Sequence, residues 1–359
     1  MRSFFQSKSV IQCFQLMFFF LFHTGCLCFR LKNGVRLYYT KLSLIYTYSV
    51  RLILLACFMG GVVVKLTTEE YYSAMIGRLS PIITFVMCFE SIVSVFTYLA
   101  VTFGLDRTRK EHLKAWNRLQ SIDDEVVKSF PNVNWNYQKN CRKYTRLTAF
   151  IYSYFSIIAF GFVFNLANCS CGYFSSFLIS FAYACITASS GLASFLFAVQ
   201  MDMLRLRFRL LHKLVNLNFV SCSNGQRNDT RLLRKFKILE YFFKEYNALI
   251  HRLNRVFNVV SSASMFYDFA ILTNMGFLVC SKAIESNTHW KEYVFIAFFT
   301  LPRIYKVIIC SVYGHMAHAE IFNSIANYII VLIQLQFQQN MIRRTLYGAP
   351  SGDIEMIEM

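Results

Sequence analysis

Seven stretches of this chain are long and apolar enough to cross a bilayer as helices: residues 43–64, 81–104, 147–166, 176–204, 256–281, 291–313 and 321–338. A hydrocarbon core of roughly 30 Å takes about 20 residues at 1.5 Å rise. The last stretch is the shortest and would span with little tilt. Charged residues make up 16% of the chain, against roughly 25% in a soluble domain. Hydrophobic residues make up 56%, with 38 Phe, more apolar surface than a water-soluble fold of this length hides. The expected fold class is therefore all-α, a polytopic membrane protein of seven helices. No soluble domain, internal repeat or low-complexity tract is visible.

The net charge is +18. In a soluble protein that balance would point to nucleic acid. Here it reports topology, with membrane lipid as the partner and no nucleic acid. Of the 37 Lys and Arg, 28 fall within residues 1–42, 105–146 and 205–255. The connections 65–80, 167–175 and 282–290 are each neutral overall, and the tail 341–359 is slightly acidic. Cytoplasmic loops collect Lys and Arg, so the N-terminus and both long loops are predicted to be cytoplasmic and the C-terminus extracellular. The chain divides into a cytoplasmic N-terminal segment 1–42, a seven-helix domain 43–339 and an extracellular tail 340–359.

Residues 10–28, following Arg2 and Lys8, have the look of a signal peptide, but no A-x-A site follows them. They read as an amphipathic or partly inserted helix, with a signal or a true span as the alternatives. A span there would turn Arg30, Lys32, Arg36 and Lys41 outward, against the charge alternation. The basic loop 205–255 has helical spacing at Leu232, Leu233, Phe236, Leu239, Phe243 and Leu249. It either extends a span beyond the membrane and bundles there, or lies flat on anionic headgroups.

The stretch "ANYIIVLIQLQF", residues 326–337, keeps Asn327, Tyr328, Gln334 and Gln336 inside an otherwise apolar run. Asn327-Tyr328, five apolar residues and Gln334-Leu335 resemble the hallmark of the insect gustatory receptor family, with Asn in place of Thr and Leu in place of Phe. "YTKLSLIYTYSVRLILL" (39–55), "RLNRVF" (252–257) and the orientation, opposite to that of a G-protein-coupled receptor, agree. The resemblance implies a ligand-gated cation channel for small-molecule tastants in the plasma membrane of chemosensory neurons. It implies a homo- or hetero-tetramer whose last helices line the pore, and a pocket among the middle helices of each subunit. It implies no cofactor. The cytosolic stretch that such receptors carry before the last helix is missing here, because "VYGHMAHAE" (312–320) runs straight into "IFNSIANYIIVLIQ". That departure keeps a non-conducting accessory subunit as an alternative, beside a G-protein-coupled type of chemoreceptor.

Ionisable residues inside spans are costly, by about 2.5–3.5 kcal/mol on insertion scales, and so mark candidate sites. Arg51 and Glu90 are expected to neutralise each other, and Asp268 to meet Arg303, with Arg303 and Lys306 snorkelling to an interface as the alternative. Tyr152, Tyr154, Phe155, Tyr183, Phe266 and Tyr267 are candidate pocket residues, against a background of ordinary aromatic packing. Gln334 either offers its amide to hydrated cations or bonds a neighbouring helix. Asn168 heads a sequon predicted to face outside, and Asn228 one predicted to face inside. The histidines and cysteines show no catalytic or metal-binding spacing, so no enzyme and no metal site is expected.

Overall fold

Five of the apolar stretches, 43–64, 81–104, 147–166, 176–204 and 256–281, fold into helices that contain them. The computed structural model describes residues 9–32, 36–67, 81–167, 173–223, 229–284, 297, 300–301, 303–308 and 311–312. After a 3-10 turn at Ile11–Phe14 come α1 (Gln15–His23), β1 (Arg30–Lys32), β2 (Arg36–Tyr38), α2 (Lys41–Thr67) and α3 (Pro81–Arg107). These are followed by α4 (Arg109–Ser129), α5 (Tyr137–Ala167), α6 (Tyr173–Ser223) and α7 (Asp229–Ile284). Among the described residues, four helical segments are long and apolar enough to cross a membrane: Lys41–Val64, Cys88–Arg107, Tyr173–Leu217 and Arg234–Cys280. The fold is a helical membrane fold, and α5 contains the expected third span. Most of the sixth expected span, and all of the seventh, of the motif Asn327, Tyr328, Gln334 and Leu335, of Asn168 and of the tail, lie outside the described residues.

Two units are distinguished, residues 1–202 with 248–314, and residues 203–247 with 315–359. In the first, α6 is buried on nearly every face from Ala182 to Leu204. Its run at 188–194, Ala, Ser and Gly apart from Leu192, is buried throughout, as small residues allow when helix backbones approach closely. A methyl group on Gly61 of α2 would fall 2.3 Å from Ile179 Cγ1 of α6, so only glycine permits that approach. Apolar side chains also point outward: Leu52, Phe96, Phe103, Phe266 and Phe269 are all exposed, as on helices that face lipid rather than water. In the second unit, Phe208 packs on Phe243 and Tyr246, with ring centroids 5.9 and 6.2 Å away.

The basic stretch 205–255 is carried largely by α6, continuous over 51 residues, and α7, continuous over 56. At 1.5 Å per residue each is about 75–85 Å long, well over twice the hydrocarbon core. The N-terminal helix is not amphipathic. With its 3-10 turn it covers Ile11–His23, about 20 Å, too short to span. It is mostly apolar on all sides, with Phe14 between Trp116 (4.9 Å) and Tyr144 (5.3 Å) and Phe20 stacked on Tyr152 at 4.0 Å. Beside the helices stands a small antiparallel hairpin, β1 with β2.

Candidate functional site

The first unit buries a cluster of four charges drawn from α3, α7 and the helical residues 303–308. Glu90 of α3 accepts a hydrogen bond from the hydroxyl of Tyr183 on α6. The Arg303 guanidinium lies 3.6 Å from Glu90 Oε1, donates to the Tyr267 hydroxyl at 3.2 Å and sits 5.5 Å from the centre of that ring. The Tyr183 and Tyr267 hydroxyls are 3.5 Å apart. One turn away, Lys306 pairs with Asp268 at 2.6 Å and donates to Ser264 Oγ at 2.9 Å. All of these side chains are buried.

Helical spacing explains the convergence. Arg303 and Lys306 are three residues apart, and Ser264 and Asp268 four, so each pair shares a face. Two acids and two bases leave the cluster neutral, which is how charge is tolerated away from water. The second carboxylate oxygen of Asp268, Oδ1, has no hydrogen-bond partner among the described residues.

The pairing differs from the sequence expectation. Arg51 does not meet Glu90. It forms a two-pronged pair with Asp106 at the end of α3, with Nη2 to Oδ1 at 3.1 Å. Glu90 and Asp106 lie sixteen residues, about 24 Å, apart along α3, so one arginine does not serve both. Arg303 turns to Glu90 and Tyr267, while Asp268 takes Lys306. Neither cation snorkels. Arg51 also donates from Nε to the carbonyl of Gly25, and Tyr98 donates to the carbonyl of Thr24 at 2.7 Å. Gly25 has φ +75°, and a Cβ there would lie 2.9 Å from Arg51 Cγ. The turn after α1 is thereby fastened to α2 and α3.

Of the six candidate pocket residues, Tyr183 and Tyr267 meet in the charged cluster. Phe155 is buried facing Gly191 of α6, whose Cβ would lie 4.0 Å from the ring. Tyr152 is half-buried on Phe20. Tyr154 stacks on Phe150 at 5.8 Å, and Phe266 is exposed. A third buried anchor is Asp202, expected from the sequence to be interfacial, which accepts from Lys143 at 2.6 Å and from the Tyr144 hydroxyl at 2.9 Å.

No family model matches the chain. Over 389 aligned positions it is 26% identical to a Drosophila melanogaster protein named "Putative gustatory receptor 47b", with 93% of each chain covered. The chain is a homologue of insect gustatory receptors. It is also 22% identical to "Putative gustatory receptor 57a" of the same species, over 86% of this chain and 74% of that one. The first alignment is longer than the 359 residues of this chain, so that gustatory-receptor relative carries at least 30 positions without a counterpart here. The buried charges thus belong to a receptor-like membrane chain, and they join the helices that form its first unit.

Proposed function

We infer that the chain is a taste receptor subunit that opens as a cation channel when a small-molecule tastant binds. The observation that carries this reading is similarity spanning 93% of both this chain and a gustatory-receptor relative. In it, the subunit assembles as a homo- or hetero-tetramer in the plasma membrane of chemosensory neurons. The N-terminus is cytoplasmic, and Gln334, with Asn327, Tyr328 and Leu335 on the same helix, serves the pore. The tastant sits among the middle helices, near Tyr183 and Tyr267. The buried cluster supports that placement, because polar groups fixed within an apolar surround orient small ligands, and ionisable groups at this depth mark function. Asn168 is the glycosylation site of this reading.

Expression in non-sensory cells, with whole-cell recording against panels of sugars, bitter compounds and amino acids, tests it. A tastant-evoked cation current that survives block of G-protein signalling is expected. Protein at the cell surface whose responses all require a G protein would overturn it. The missing stretch before the last helix, and the alignment positions without counterparts, favour a second reading, a non-conducting accessory subunit. It predicts current only on co-expression with a relative that has the stretch.

A further inference from the structure

The hairpin β1–β2 carries charges that its own fold does not offset. Its register sets Lys32 directly opposite Arg36, and Arg30, two residues from Lys32, is on the same face. All three are exposed, as is Lys41 at the start of α2. Like charges directly opposite each other destabilise a strand pair. No Asp or Glu occurs before Glu69, and among the described residues none of these four cations has an ion pair. Arg30 instead rests 5.1 Å from the centre of the Phe22 ring.

The opposite face of the hairpin is seated. Leu37 is buried, and its backbone N–H and C=O each bond the Asn117 side chain of α4 at 3.4 Å. The cationic face is therefore held outward. It stands immediately before α2, whose exposed apolar side begins at Leu42 and continues through Ile45, Leu52 and Met59. A stripe of that kind meets acyl chains, so the cations just before it stand at headgroup level. Clusters of four or more Lys and Arg beside a span attract anionic lipid, which is concentrated in the cytoplasmic leaflet.

We propose that the Arg30, Lys32, Arg36 and Lys41 face binds the phosphate groups of anionic phospholipids in the leaflet where α2 begins. The inference rests on the reading that α2 spans the membrane from a cytoplasmic start. Bound phosphate relieves the repulsion between Lys32 and Arg36, and so couples lipid binding to the order of the hairpin.

The test uses the full-length receptor in neutral detergent, with fluorescent dioctanoyl phosphatidylinositol 4,5-bisphosphate as probe and polarisation as readout. Lys32→Gln with Arg36→Gln should weaken binding about 30-fold, roughly fivefold per charge. Lys235→Gln with Lys237→Gln, at exposed basic positions on α7, should change it less than about twofold. Arg36→Glu places an acid opposite Lys32. It should weaken binding at least 30-fold while leaving the thermal midpoint unchanged or higher. Unchanged affinity in the hairpin variants, or equal loss in the α7 variant, overturns the proposal. So does a lowered midpoint accompanying every loss of binding, which would make the charges structural. Displacement by inorganic phosphate at matched ionic strength would reassign the face to free phosphate. Binding is read without any current, so a silent receptor that still takes the lipid refutes the channel reading alone. A conducting receptor that ignores the lipid refutes this inference alone.

Discussion

Removing one charge of the Asp268–Lys306 pair should harm the protein far more than removing both. The two groups meet at 2.6 Å with side chains 3% and 7% exposed, so neither recovers its charge solvation from water. Asp268→Asn leaves the Lys306 ammonium facing the neutral Ser264 hydroxyl. Lys306→Met leaves the Asp268 carboxylate without its cation. Breaking a buried pair on one side costs about 3–5 kcal/mol, whereas replacing both charges is often close to neutral. At about 2 °C per kcal/mol for a large chain, each single variant should lower the thermal midpoint by roughly 6–10 °C. The double variant should lie within roughly 2 °C of the parent. Fluorescence-detected size exclusion after heating the detergent-solubilised receptor reads all four members of the cycle. On these figures the coupling energy, the two single costs summed less that of the double, is about 5–10 kcal/mol. Simple additivity, with the double variant as unstable as both singles combined, would refute the pairing.

Gly25→Ala should cost at least about 1–2 kcal/mol for left-handed backbone, with added crowding against Arg51 and Thr47, seen as a lower melting midpoint. Asp106→Ala strands Arg51 and should cut surface expression severely; exchanging the two charges, Arg51→Asp with Asp106→Arg, should restore part of it by surface biotinylation. His112 is fully buried between Phe29 and Phe257, and accepts a bond from Trp116 Nε1 at 3.0 Å. Burial pushes its pKa down to about 3. Between that value and 6.5 the unfolded chain binds a proton that the folded chain refuses, so stability falls as pH drops. The loss should reach about 2 kcal/mol from pH 6.5 to 5. His112→Gln should flatten the midpoint-against-pH slope over that window, and an unchanged slope would contradict the burial.

Span positions were legible because apolar length is a property of consecutive residues. α2, α3, α5, α6 and α7 each contain a stretch visible as a run in the sequence. The helical period at Phe236, Leu239 and Phe243 likewise marked the extension of α7, although it did not say whether that extension stood up or lay flat. Partner choice inside the bundle was not legible. Arg51 has two acids on the neighbouring helix, and choosing between them needs the depth of each along α3, which the turn at Gly25 helps to set. Asp106 looked like a loop residue because it lies just past the apolar run. The i, i+3 spacing of Arg303 and Lys306 and the i, i+4 spacing of Ser264 and Asp268 did hold the signal for their cluster. The hairpin was missed because its strands are three residues each, too short for alternation to register. Its steadiness comes from Asn117 and Leu37, a tertiary contact.

The proposed function requires α2 to start in the cytoplasm, opposite in sense to a G-protein-coupled receptor. Antibody access to epitope tags on both termini, in intact unpermeabilised cells, measures that directly. The account predicts that only the C-terminal tag is reached, with the N-terminal tag appearing after permeabilisation. Access to the N-terminal tag alone would contradict the orientation, and with it the channel reading.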